Sequence, residues 1–313
     1  MRIAHRRVHI AVAVDPAEEL KRLTRELDNF QNIARYLVPL PGEIPRLNGI
    51  DVWGGSWQLN GAVGGDHITY VDFKQRFDLN ARIERAREEG RHDVAENLEA
   101  CRHKAGIAVM DVAGHQMTDA LLAAMLHQAF LLGAIYELDR YGQITRRLFE
   151  NLNARFHQSS GTHKYVSMIY GEISEDAKFR FLSAGVPFPA VFSNEHNRFM
   201  DVGEHLKVSF PPLGMMPSFV IDRRLTTSLL GFKERYEMNE WTLMGRGDIL
   251  LLHTDGLSDH RVQDELYFPG RLENVLREVK HLSAREIYEA IKKDVAAFGP
   301  PTDDISLVVI KLK

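Results

Sequence analysis

The chain has 313 residues, 44% of them apolar and 26% charged, with a formal charge of −4. That composition belongs to a globular chain with a real core, arranged as one large domain plus an accessory segment or as two domains. It excludes a bulk basic field for gripping a phosphate backbone, so no nucleic-acid partner is expected. A single cysteine, Cys101, allows no internal disulfide and fits a reducing, cytoplasmic setting.

Residues 1–14 alternate apolar and polar (Ile3, Val8, Ile10, Val12, Val14) and predict a strand or extended arm. Their apolar stretch is short and broken by His9, unlike a signal-peptide core. Asp15-Pro16 then opens a helix, with Asp as N-cap and Pro at the first helical position. Leu20, Leu23, Leu27, Phe30, Ala34 and Leu37 step along it at heptad spacing. A homodimer seam and an amphipathic helix packed on its own domain are equal readings of that run. Pro39, Pro41, Gly42 and Pro45 end it. The expected division is therefore an arm and helix over 1–40 and a main domain over 41–313.

Short strands are predicted at Ile50–Leu59 and Ile68–Phe73, with Gly54-Gly55 and Asn60-Gly61 as turn signals. Residues 78–104 are crowded with Arg and Glu and predict a solvated helical insertion within the main domain. Gly106–Val112 reads as a buried strand. Thr118–Leu138 is apolar on most sides and reads as a covered helix. Its apolar run, Ala120 to Tyr136, falls short of the ~20 residues that span a bilayer and carries His127 and Gln128, so no membrane insertion is expected. A second helix, Ile144–His157, carries Leu148, Phe149, Leu152 and Phe156 on one side. Strands return at Tyr165–Ile173, Phe179–Ala184, Ala190–Ser193 and Ile249–Thr254. Helices at Leu272–Val279 and Ala284–Phe298 precede a last strand, Ile305–Leu312. This order predicts an α+β fold, two antiparallel sheets packed as a sandwich with helices outside. The stretch Ser218–Tyr236 is long enough to form a flap over a cleft.

Four segments carry the candidate chemistry: Val63-Gly-Gly-Asp66, Asp111-Val-Ala-Gly-His115, Thr254-Asp255-Gly-Leu257 and Thr302-Asp303-Asp304. Each sets an aspartate at or just past a predicted strand end. Singly, each reads as a turn or cap. Together they form a set of hard oxygen donors suited to magnesium or manganese, and no Cys/His spacing suits zinc. Two such ions about 3.5–4 Å apart acidify a water and hold it for attack on phosphorus.

In this order, with Ser183-Ala-Gly-Val-Pro-Phe-Pro189, Pro212-Leu-Gly214 and Gly247-Asp248, these segments resemble the metal-dependent protein phosphatases of type 2C, in their bacterial SpoIIE/RsbU-like branch. The resemblance covers roughly residues 30–313. It implies a β-sandwich flanked by helices (α-β-β-α) and removal of phosphate from phosphoserine or phosphothreonine with two Mn2+ or Mg2+ ions. Asp111 would be shared by both metals, with the Val112 carbonyl as a further ligand. Asp255 would bind one ion, and Asp303 or Asp304 the other. Asp66 would act through metal-bound water, as a proton acceptor. His115 would bond a ligand or the substrate phosphate, or hold its turn. The expected substrate is a phosphorylated regulatory protein such as an anti-sigma-factor antagonist. A non-catalytic partner-binding module and a small-metabolite phosphatase are the alternatives. Thr69, Gln116, Asp119, Val186 and Asp259 depart from the branch and put metal affinity and substrate choice in question.

Overall fold

The computed structural model describes residues 15–36, 43–59, 64–113, 117–160, 164–218, 228, 230–242 and 245–313. The predicted arm over 1–14 lies outside them. The first helix is α1 (Pro16–Arg35), and Asp15 Oδ1 caps it by accepting from the Ala17 N–H at 3.0 Å. The chain then runs β1 (Ile50–Trp57), β2 (His67–Asp72), α2 (Phe73–Arg76), α3 (Leu79–Glu88), α4 (His92–Ala100), β3 (Lys104–Val112), α5 (Met117–Tyr141) and α6 (Arg146–Ser160). Next come β4 (Val166–Ser174), β5 (Phe179–Ala184), β6 (Ala190–Ser193), β7 (Arg198–Phe199), β8 (Ser209–Phe210), β9 (Asn239–Trp241) and β10 (Ile249–His253). The last elements are α7 (Asp255–Ser258), β11 (Arg261–Val262), β12 (Glu265–Leu266), α8 (Gly270–Val279), α9 (Ala284–Phe298) and β13 (Ile305–Leu312).

Two sheets result. One has the order β1-β13-β10-β6-β7, and the other β2-β3-β4-β5-β8 with β9 also on β5. Their pairings are antiparallel apart from β5 with β8. Side chains alternate across each strand, which sorts the core into three layers. Ile107 and Val109 of β3, Leu250 and Leu252 of β10, and Val308 and Ile310 of β13 fill the space between the sheets. Ala108 and Met110, on the other face of β3, meet Phe130 of α5 and Phe149 of α6. Leu307 and Val309, on the other face of β13, meet Leu276 of α8 and Ile291 of α9. The architecture is the predicted α-β-β-α sandwich. Both faces of each sheet are covered, which is why Ile249–His253 reads as a continuous apolar run rather than an alternating one.

Residues 78–104 fold as α3, α4 and a short 3-10 turn. Their charges face water, but Leu79, Ile83, Val94 and Leu98 enter the core beneath, so the segment is an integral part of the helical layer. The free thiol of Cys101 is buried there, and burial pushes its pKa up to about 12.

The covered helix is α5, and only one face of it is covered. Leu126, Phe130, Ala134 and Leu138 are fully buried, while Leu121, Met125, Leu132, Ile135 and Tyr136 are exposed. Its length and composition would suffice to cross a membrane, and its buried face packs on β3 and α6 as a core helix does. On α1, Leu20, Leu23, Leu27, Ile33 and Tyr36 are also exposed, and Phe30 packs against Ala120 of α5.

The C-terminal end of the Ser218–Tyr236 stretch is tied to α6. Lys233 Nζ donates to Glu150 Oε2 at 2.8 Å, and the Tyr236 N–H donates to Glu150 Oε1 at 2.8 Å.

Candidate active site

The four aspartate segments come together at one end of the sandwich. Antiparallel pairing puts the start of β2 beside the end of β3, and the end of β10 beside the start of β13 and the end of β1. Asp66 just precedes β2 in the phase of Ile68 and Tyr70, and Asp111 lies on β3 in the phase of Ile107 and Val109. Both therefore face the space between the sheets. Thr254 follows β10 in the same inward phase as Leu250 and Leu252.

Asp66 is buried, and its Oδ2 accepts from the Thr254 hydroxyl at 2.8 Å. Thr254 Oγ1 in turn accepts from the Ser306 N–H at 3.0 Å, and the Ser306 and Ser56 hydroxyls lie 2.5 Å apart. This polar chain links both sheets below the mouth.

Burial, and then the neighbouring Asp111, drive the Asp66 carboxyl well above the usual carboxylate range. Burial, and then Asp255, Asp303 and Asp304, push Asp111 up to about 7. Asp255 is raised by burial and by Asp303. Like charges this close disfavour ionisation unless cations balance them.

Asp303 and Asp304 diverge. Asp303 is exposed at the mouth, and its Oδ1 accepts from the Asp304 N–H at 2.8 Å. Asp304 is buried. Its Oδ1 accepts from the Leu59 N–H at 2.6 Å and its Oδ2 from the Gly65 N–H at 2.9 Å, which ties Leu59 and Gly65 to the same carboxylate. The glycines of these motifs allow that closeness. A Cβ on Gly64 would stand 2.0 Å from Asp304 Oδ2, and one on Gly256 would stand 2.0 Å from the Asp304 backbone oxygen.

The Val112 N–H donates to the Gly65 carbonyl at 3.3 Å. A strand residue's N–H and C=O face the same side, so the Val112 carbonyl also faces the Gly65–Asp66 turn. His115 and Gln116 lie outside the described residues. Asp119 is buried and pairs with Lys164 Nζ at 2.5 Å, and Lys164 also donates to the Ala113 carbonyl at 2.9 Å. The acid that departs from the branch pattern thus has a cation of its own. Beneath Asp66, on the opposite face of β2, His67 Nε2 lies 2.8 Å from His127 Nδ1, and Thr69 Oγ1 lies 2.9 Å from the same nitrogen.

Divalent cations fit these residues in donor type. Each donor is a hard oxygen, and the carboxyls raise one another's pKa as like groups without a counter-ion do. Among the described residues the side chains are not drawn into a closed coordination cluster of three or more acids and histidines.

Comparison with known proteins decides the family. The family model described as "Stage II sporulation protein E (SpoIIE)" matches residues 102–313. The chain belongs to the SpoIIE family. Its sequence is 28% identical over 159 residues to phosphoserine phosphatase RsbP of Bacillus subtilis (strain 168), a match covering 50% of this chain and 34% of that protein. The matched stretch is thus about a third of the curated relative. Among solved structures, the PP2C domain of SiaA from Pseudomonas aeruginosa has a similar fold, with a TM-score of 0.62 at 16% identity over 95% of this chain and all of that domain. RsbX in complex with magnesium has a TM-score of 0.51 at 14% identity over 86% of this chain and 98% of that one. These likenesses carry the SpoIIE-type, PP2C-like fold across the sandwich.

The four candidate aspartates stand in local sequence motifs, but the groups that support them do not. Thr254 was visible beside Asp255, yet no pattern links it to Asp66, 188 positions away. Lys164 and the His67–His127 pair likewise have no local signal, because long-range pairing creates them.

Proposed function

We propose that this chain is a metal-dependent phosphoprotein phosphatase acting on phosphoserine or phosphothreonine. The observation that carries the reading is the convergence of Asp66, Asp111, Asp255 and Asp303, from four separate segments, on one mouth between the sheets, with Asp111 raised to about 7 by burial and its neighbours. Membership of the SpoIIE family and similarity to a protein named a phosphoserine phosphatase support it.

Asp111, with the Val112 carbonyl, would hold two Mn2+ or Mg2+ ions together with Asp255 and Asp303. When bound, such ions polarise the phosphoryl oxygens and lower the pKa of water. Asp66 would accept a proton at the mouth, its carboxylate oriented by the Thr254 hydroxyl. Asp304 would serve as a clamp rather than a ligand, since both its oxygens already accept backbone N–H groups. His115, four positions after Asp111, would bond a metal ligand or the substrate phosphate.

The substrate would be a phosphorylated regulatory protein, with an anti-sigma-factor antagonist as the specific expectation, and the setting cytoplasmic. The exposed leucines of α1 support a homodimer seam, with 1–40 as the coupling segment and 41–313 as the catalytic domain. The decisive experiment is hydrolysis of p-nitrophenyl phosphate and a phosphoserine peptide across divalent metals. Activity with Mn2+ or Mg2+ that Asp111→Asn abolishes is expected. No hydrolysis with any metal would overturn the reading.

A further inference from the structure

A cleft of about 260 Å3 adjoins the mouth at Asp303. Trp57 and Leu59 at the end of β1, Ala296 of α9 and Pro301 supply its apolar walls, and Lys292 of α9 stands at its rim. The Trp57 ring is braced edge-on by Tyr288, with ring centroids 5.8 Å apart. Lys292 Nζ lies 5.9 Å from the Trp57 centroid, and among the described residues it forms no ion pair.

The cleft is therefore lined by charge of both signs. Asp303 joins it to the mouth, where a phosphate would sit once cations balance the aspartates, and Lys292 sets an exposed ammonium beside the aromatic wall. A chain bearing a phosphate at the mouth, an aliphatic side chain against Trp57 and a carboxylate at Lys292 meets complementary chemistry.

We infer that this cleft, bounded by Trp57, Ala296, Pro301 and Lys292, is a substrate subsite that receives an aliphatic residue with an adjacent acidic residue, flanking the phosphorylated serine of the protein substrate. The inference rests on the phosphatase reading for the position of the phosphate. It adds a specificity determinant outside the metal site. Lys292 selects for charge, and the apolar walls supply contact area.

The test uses the full chain with Mn2+ and two short phosphoserine peptides, one flanked on both sides by Leu-Asp and the other by Leu-Lys. p-Nitrophenyl phosphate, too small to span the cleft, is the reference substrate. The wild type should favour the Leu-Asp peptide in kcat/KM by about fivefold, the scale of one exposed charge pair. Lys292→Glu should reverse that preference. Ala296→Trp, which fills the cleft, should lower kcat/KM for both peptides relative to the aryl phosphate. An identical preference in wild type and Lys292→Glu overturns the subsite, as does a Lys292→Glu loss equal on all three substrates. Peptide binding read by tryptophan fluorescence separates the two readings. Binding that follows the charge at residue 292 without any hydrolysis keeps the subsite and removes the phosphatase reading. Hydrolysis of the aryl phosphate without charge-dependent peptide binding does the opposite.

Discussion

Thr254 at the end of β10 donates its hydroxyl proton to Asp66 Oδ2 at the start of β2, 2.8 Å away across the gap between the sheets. Thr254 Oγ1 also accepts the Ser306 N–H, so one hydroxyl serves a buried acid and a buried amide. Thr254→Val keeps the shape and removes both bonds. It should cost about 1–3 kcal/mol of stability, the penalty for leaving buried polar groups unmade. Metal-dependent hydrolysis should fall with it, because Asp66 loses its orienting donor. Thr254→Ser restores the hydroxyl and should recover most of both. Thermal unfolding and a metal titration of activity read the pair. Equal behaviour of the valine and serine variants would show that the hydroxyl is irrelevant.

Asp303 and Asp304 should separate when each is changed alone. Asp303→Asn removes an exposed carboxylate at the mouth, so unfolding should shift little while the metal concentration for half-maximal activity rises. Asp304→Ala strips the acceptor from the Leu59 and Gly65 N–H groups. Charge-assisted bonds to backbone are worth about 1.5–3 kcal/mol each, so this variant should lose several kcal/mol on denaturant unfolding. The reverse pattern would exchange the roles assigned to the two.

How far the sequence reveals this molecule depends on the range over which each signal acts. The strands and helices from residue 50 onward are legible because apolar runs and punctuating Gly and Pro are local. The candidate ligands are legible because each stands at or just past a strand end, with glycines in three of the four segments. The adjacent pair Asp303-Asp304 is not resolved by sequence. Successive residues of an extended chain point to opposite sides, and only the fold shows which side holds the Gly65 N–H. Helix α5 misleads for a related reason. Apolar residues all round it suggest full burial, yet Leu132 is 70% exposed while Phe130 is fully buried. Periodicity cannot mark the covered face when every face is apolar.

Lys164 should prove structural through Asp119. Its ammonium lies 2.5 Å from the Asp119 carboxylate, which is fully buried, and 2.9 Å from the Ala113 carbonyl that follows β3. Lys164→Met leaves the buried carboxylate without this cation and should cost about 1–3 kcal/mol, the penalty for a buried charged group that loses one partner. The double variant Lys164→Met with Asp119→Leu should regain much of that, since no buried charge remains. Denaturant unfolding of the three variants forms the cycle. Additive losses would show that the two residues do not act together.

The buried histidine pair predicts the acid limit of the fold. His127 is pushed down to about 4, first by burial and then by the nearby Arg76, and burial pushes His67 down to about 3. Both rings are therefore neutral in the folded chain at neutral pH. Unfolded, each binds a proton near pH 6.5. Below that value the unfolded chain holds protons that the folded chain refuses, so stability falls as pH drops from about 6.5 toward 4. Each histidine contributes up to about 1.4 kcal/mol per pH unit in that window. His127→Gln keeps a polar partner for His67 and Thr69 but does not titrate. Its unfolding free energy should fall less steeply than that of the wild type between pH 6.5 and 4, and the two slopes should converge above pH 7. Parallel curves through the acid window would show that His127 is not held neutral by the fold.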